Sequence, residues 1–163
     1  MRNEMEICFD AVSDNESFAR VAVAAFIAHL NPTMEEMADI KTAVSEAVTN
    51  SIIHGYENLY GYGKIARKTV PALQNQEHPE KVRIHCILDE KTLHIEISDS
   101  GRGIADVDQA MEPLFTTKPD LDRSGMGFAF MEAFMDTLEV ESTPGEGTTV
   151  RMMKKIGADT AAQ

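Results

Sequence analysis

Val82, Ile84, Cys86 and Leu88 alternate with polar positions, and Leu93, Ile95 and Ile97 repeat the pattern a few residues later. Strict alternation puts every second side chain on one face of a strand. With Asp89-Glu-Lys91 as a tight turn between the runs, the pattern predicts a β-hairpin with one face on the core. Residues 4–9 alternate enough for a first strand. Residues 138–143 and 148–154 predict a final hairpin across Pro144-Gly-Glu-Gly147.

Helical spacing takes over elsewhere. Ile40, Val44, Val48 and Ile52 fall on one helix face behind Thr33-Met-Glu-Glu36, which has the form of a capping box. A helix is therefore expected from there to about His54, with Gly55 as its stop. Ser13-Asp-Asn-Glu16 has the same form and predicts a helix to about Leu30, ended by Asn31-Pro32. The middle of that helix, Val21 to Ala28, is apolar all round, which implies burial on more than one side. A second side could be internal core or a subunit interface, and the residues leave both open. Gly127 to Asp136 reads as a helix with Phe128, Met131, Phe134 and Met135 inward, and a short helix is expected near Val107–Met111.

Residues 61–80 show no period and are broken by Gly61, Gly63, Pro71 and Pro79. They read as a solvated loop insertion, with a short helix around Val70–Gln74 and a basic group of Lys64, Arg67 and Lys68. The order βαα–ββ–α–ββ predicts an α+β two-layer sandwich, with helices on one face of a mixed, mainly antiparallel sheet. One domain is expected over 1–157, followed by a disordered tail at 158–163.

Composition narrows the function. A net charge of −12 argues against general nucleic-acid binding, which needs Lys and Arg to neutralise phosphates. There is no run of eighteen apolar residues and no apolar signal-peptide core at the N-terminus, so a cytoplasmic protein is expected. Cys8 and Cys86 both fall in strand-like runs and read as free, buried thiols.

The polar residues beside the apolar stripes carry the chemistry. Glu46 and Asn50 are one turn apart on a helix face, and His54 continues their row. A carboxylate can take a proton from an attacking hydroxyl, and an amide oxygen can bind Mg2+. An exposed polar face would give the same spacing. Asp99 ends a strand and opens Asp99-Ser-Gly-Arg-Gly103, where Gly101 and Gly103 permit close backbone approach to a ligand. A simple Asp-Ser-Gly turn is the bland alternative. Thr116-Thr-Lys118 and Arg123-Ser124-Gly-Met-Gly127 bracket a further stretch. Gly125 and Gly127 at a helix start can present N–H groups to phosphate, and Lys118 and Arg123 can supply positive charge.

As an ordered set these motifs resemble the ATP-binding fold shared by DNA gyrase, Hsp90, histidine kinases and MutL. Glu46–Asn50 matches its N box, and the two glycine-bearing segments match its glycine boxes. The chain is expected to lack the large further domains of gyrase, Hsp90 and MutL and the phosphoacceptor domain of a complete histidine kinase. Asn15-Glu-Ser-Phe-Ala-Arg20, Ser45 to Tyr56, Pro113 to Lys118 and Arg123 to Phe128 are similar to the sporulation anti-sigma-F factor family over nearly the whole chain. Residues 61–80 depart from that family's pattern as an insertion.

The resemblance implies a homodimeric serine/threonine-protein kinase that uses ATP or ADP and Mg2+. It implies inhibition of the sporulation sigma factor F, and phosphorylation of an anti-anti-sigma protein on serine. By the same resemblance, Glu46 would be the general base and Asn50 the Mg2+ ligand. Asp99 would contact adenine, with Gly103 and Thr149 nearby. Thr116, Thr117 and Lys118 would belong to a lid, Arg123 would steady the γ-phosphate, and Glu16 and Arg20 would face the partners. Two alternatives stand beside this reading: a nucleotide-gated sigma-binding module without catalysis, and the related anti-sigma kinase of the general stress response.

Overall fold

Five strands form one sheet in the order β1-β2-β3-β5-β4. They are β1 (Arg2–Asp10), β2 (Lys81–Asp89), β3 (Thr92–Asp99), β4 (Thr137–Thr143) and β5 (Gly147–Lys155). The computed structural model describes residues 2–56, 80–112 and 125–157. The expected insertion at 61–80 and the tail at 158–163 therefore lie almost wholly outside the described residues. Every pairing in the sheet is antiparallel. The parallel component that a mixed sheet allowed is absent among the described residues, because both hairpins close locally and β1 and β5 each join antiparallel to them.

The alternation read from the sequence sets the two faces. Val82, Ile84, Cys86 and Leu88 on β2 and Leu93, Ile95 and Ile97 on β3 are fully buried under the helices. Each such side chain contributes about 1.5–3 kcal/mol relative to exposure. The opposite face carries a row of alternating charge across all five strands. Arg83 contacts Glu6 at 3.9 Å and Glu96 at 3.6 Å, and Arg151 contacts Glu96 at 2.9 Å and Glu141 at 2.6 Å. A one-residue slip of any strand would carry its charge to the core face, so this row and the apolar face specify the same register.

Cys8 belongs to the charged face and is exposed, whereas Cys86 is buried. The expectation of two buried thiols fails for Cys8 because its parity on β1 is that of Glu4 and Glu6, and Phe9 takes the core side.

The helices are α1 (Asp14–Ile27, extended by a 3-10 turn at Ala28–Leu30), α2 (Met34–Asn50), α3 (Val107–Met111) and α4 (Gly127–Phe134). Thr33 and Glu36 make the expected capping box at the start of α2. Ser13 does not make one: its backbone is already helical, φ −58° and ψ −30°, and its side chain caps nothing. Glu16 is instead drawn across to α2, where its carboxylate accepts a hydrogen bond from the Ser45 hydroxyl. Nor is α1 buried all round. Ala19, Val23 and Ile27 face the core, while Phe18 and Val21 are 52% and 59% exposed.

Two contacts fix α2 against the rest of the domain. Its stripe of Ile40, Val44 and Val48 is fully buried. At its start, Glu36 also accepts a hydrogen bond from the Gly157 N–H beyond the end of β5. Burial pushes the Glu36 carboxyl up, but the hydrogen bonds from Thr33 and Gly157 and the nearby charge of Lys154 outweigh it and hold it below the ordinary carboxylate range. Lys154 reaches the last carbonyl of α4, Phe134 O, at 2.7 Å. A cation there satisfies an open helix end and opposes its negative dipole.

Candidate nucleotide site

α2 does not run as an α-helix to His54. It ends at Asn50 and widens into a π-turn at Ser51–Gly55. Such turns occur mostly as single insertions near functional sites. This one brings the end of α2 against the loop after β3. Arg102 N–H donates to Gly55 O at 2.9 Å, and a methyl group on Gly101 would lie only 2.2 Å from that same oxygen. Gly101 is therefore glycine because two backbones touch there. The expected close approach to a ligand is instead an approach to Gly55. Gly103 has φ +71°, and a methyl on it would lie 2.2 Å from Thr143 O, so both conformation and space require glycine.

Tyr56 locks this junction. Its hydroxyl donates to Lys81 O at 2.7 Å and accepts from Ser100 N–H at 2.8 Å. Burial raises the phenol above its ordinary pKa. Sequence reasoning passed over Tyr56 and Ser51, since neither is distinguished by spacing. A tyrosine directly after His-Gly at the end of a helix was the only sequence cue.

Asp99 borders a cavity of about 390 Å³, together with Asn50, His54, Gly103, Gly127, Phe128 and Thr148, among others. The volume falls in the usual range for small-molecule sites. Asp99 is 9% exposed, and burial raises its carboxyl above the ordinary value. Hydrogen bonds from Gly101 N–H at 2.9 Å, the Ser51 hydroxyl and the Thr148 backbone act in the opposite direction. A carboxylate held this way, with little water, suits a hydrogen-bond donor on a ligand.

Gly127, which also borders the cavity, is where α4 packs on α2. A methyl there would lie 3.1 Å from Glu46 Oε2 and 3.4 Å from both Asn50 Oδ1 and Nδ2. The two polar groups, one turn apart on α2, thus converge on one glycine at the start of α4. Gly125, at φ +61°, also borders the cavity. A carboxylate, an amide oxygen and a helix start are a donor set that fits a divalent cation with phosphates.

Among the described residues, not every expected nucleotide-site residue borders the cavity. Thr149 is not among the residues bordering the cavity; Thr148 is. Side chains alternate along β5, and Val150 and Met152 are buried, so position 148 shares the core face and position 149 the charged face. Parity with Val150 was the signal for this in the sequence. Glu16 and Arg20 lie on α1 as an ion pair of 3.6 Å. Thr116, Thr117, Lys118, Arg123 and Ser124 lie outside the described residues.

Comparison with known proteins agrees with this arrangement. The model of the histidine kinase-like ATPase domain matches residues 10–154. The chain is 52% identical over 156 residues to an anti-sigma F factor of Oceanobacillus iheyensis, covering 96% of this chain and 94% of that one. It is 50% identical over 161 residues to the anti-sigma F factor of Bacillus subtilis, covering 99% and 98%. Among solved structures, the RsbU and RsbW domains of a Mycobacterium tuberculosis protein superpose with a TM-score of 0.58 at 17% identity, over 94% of this chain and 32% of that one. That last likeness shows the fold. Together with a cavity built from the N-box helix and both glycine segments, the identities place the chain in the anti-sigma F factor family of histidine kinase-like ATPase domains.

Proposed function

We propose that this protein is a cytoplasmic, homodimeric anti-sigma factor and serine/threonine-protein kinase. It holds the sporulation sigma factor F inactive, and it uses Mg2+ and ATP to phosphorylate the anti-anti-sigma protein on serine. The observation that carries the kinase half is the convergence of Glu46 and Asn50 on Gly127, which with Asn50 and Asp99 borders the cavity.

When bound, Mg·ATP supplies the transferable phosphoryl group and the divalent charge that offsets its oxygens. The chain's own residues position and deprotonate. Glu46 accepts the proton of the incoming serine hydroxyl, and Asn50 offers its amide oxygen to the cation. Asp99 accepts a hydrogen bond from the base, and Gly125 and Gly127 let backbone N–H groups approach phosphate. Thr116, Thr117, Lys118, Ser124 and Arg123 complete the phosphate end, with Arg123 steadying the γ-phosphate. Glu16 and Arg20 form the surface that the sigma factor and its antagonist share. The printed name of the relatives, anti-sigma F factor, supports the sigma-binding half.

The test is transfer of radiolabelled γ-phosphate from Mg·ATP to the purified anti-anti-sigma protein, with wild type and Glu46→Ala side by side. Transfer by wild type, and none by the variant although it still binds ATP, is the expected outcome. Absence of transfer by wild type that still binds ATP would leave a nucleotide-gated sequestering module instead.

A further inference from the structure

Ser142 does not border the cavity, yet its hydroxyl meets three groups that shape it. It lies 2.7 Å from Ile104 N, 3.0 Å from Gly147 O and 2.8 Å from Thr148 Oγ1. A serine hydroxyl has one hydrogen and two lone pairs. Ile104 N–H must donate to it, and Gly147 O must accept from it. Only one assignment then makes all three contacts hydrogen bonds: the Thr148 hydroxyl donates to Ser142. Thr148 Oγ1 is left with lone pairs alone to offer the cavity.

Thr148 stands directly opposite Asp99 in the ladder between β3 and β5, and both border the cavity. Side chains so paired have Cβ atoms about 4.5–5.5 Å apart. Two adjacent acceptors favour a ligand edge that carries an amino group and disfavour one that carries a carbonyl oxygen, since a buried acceptor facing another acceptor is left unpaired. We propose that Ser142 is a positioning residue for base recognition: by holding the Thr148 hydroxyl as an acceptor beside Asp99, it makes the site discriminate a 6-amino purine from a 6-oxo purine. The inference rests on the nucleotide reading and deepens it. In Ser142→Ala the Thr148 hydroxyl loses its acceptor, becomes free to turn its hydrogen into the cavity, and can then satisfy a carbonyl.

The experiment is calorimetric titration of the full chain with ADP and with GDP, in Mg2+, for wild type, Ser142→Ala, Ser142→Thr and Thr148→Val. Wild type should prefer ADP. Ser142→Ala should reduce the ADP-over-GDP ratio about tenfold, and Ser142→Thr, which keeps a hydroxyl, should restore it. A purely structural serine would weaken both nucleotides equally and leave the ratio alone, which would overturn the proposal. Should Ser142→Ala not fold, Thr148→Val decides the matter, because an unchanged ratio there removes Thr148 from discrimination and Ser142 with it. Wild type that binds neither nucleotide would overturn the nucleotide reading itself, a result distinct from an unchanged ratio.

Discussion

Replacing Gly127 by alanine adds one methyl group at the point where α4 meets α2. The backbone there does not need positive φ, so the substitution carries no conformational strain. The methyl would sit 3.1 Å from Glu46 Oε2 and 3.4 Å from the Asn50 amide atoms. Ordinary carbon–oxygen contact is about 3.5 Å, so the Glu46 carboxylate must retreat by a few tenths of an ångström. The atom met is the far end of a flexible side chain, so the fold should barely notice. Alanine also favours helix over glycine by up to about 1 kcal/mol, so stability should hold or rise slightly. The chemistry should not be so tolerant. A misplacement of about 1 Å costs on the order of 100-fold in rate, so roughly half that displacement implies about a tenfold loss. The expected result is single-turnover phosphoryl transfer slowed about tenfold, ATP affinity within about threefold of wild type, and an unchanged or raised melting temperature. Transfer at the wild-type rate by a protein of unchanged stability would refute the reasoning, because it would show that the position of this carboxylate does not matter to the reaction.

Tyr56→Phe keeps the ring but strands Lys81 O and Ser100 N–H; a loss of roughly 2–3 kcal/mol is expected, read by calorimetry as a melting temperature lower by about 5–10 °C. No fall in melting temperature would mean that water replaces the hydroxyl. Glu36→Ala removes the acceptor for the Thr33 and Gly157 N–H groups and should cost about 2 kcal/mol at pH 7. Because the folded-state pKa of Glu36 is lowered, its contribution is present above the unfolded value of about 4.3 and is lost as the pH falls through the folded value. Urea unfolding at pH 7 and near pH 3 should therefore show the gap between wild type and variant narrowing in acid, and a constant gap would rule out the carboxylate as its source.

The hairpins were legible because alternation over five to seven positions on each strand admits one register with a buried face. The capping box at Thr33 was legible because nothing else competes for Glu36 except Gly157, which uses its other oxygen. The box at Ser13 has the same spelling and fails, since Ser45 takes the carboxylate that the box required. Local sequence does not reveal a hydrogen bond to a residue 29 positions away. The site shows the same division. Glu46, Asn50 and Asp99 could be named from spacing and motif. The approach of Asp99 to the end of α2 depends on the π-turn at Ser51–Gly55 and on bare contact between Gly101 and Gly55, neither of which has a periodic signature. The resemblance pointed to Thr149, whereas parity with the buried Val150 puts Thr148 on the cavity side.

The bond between Tyr56 and Lys81 has a consequence for how this domain can change in length. Tyr56 and Lys81, 25 residues apart in the chain, are held together at 2.7 Å. The two ends of the intervening segment are therefore already joined. Extending a segment whose ends are joined costs only about 0.6 kcal/mol per doubling of its length. An ancestor or an engineer could add residues there and still recover the same domain, so long as a tyrosine stands at the gate.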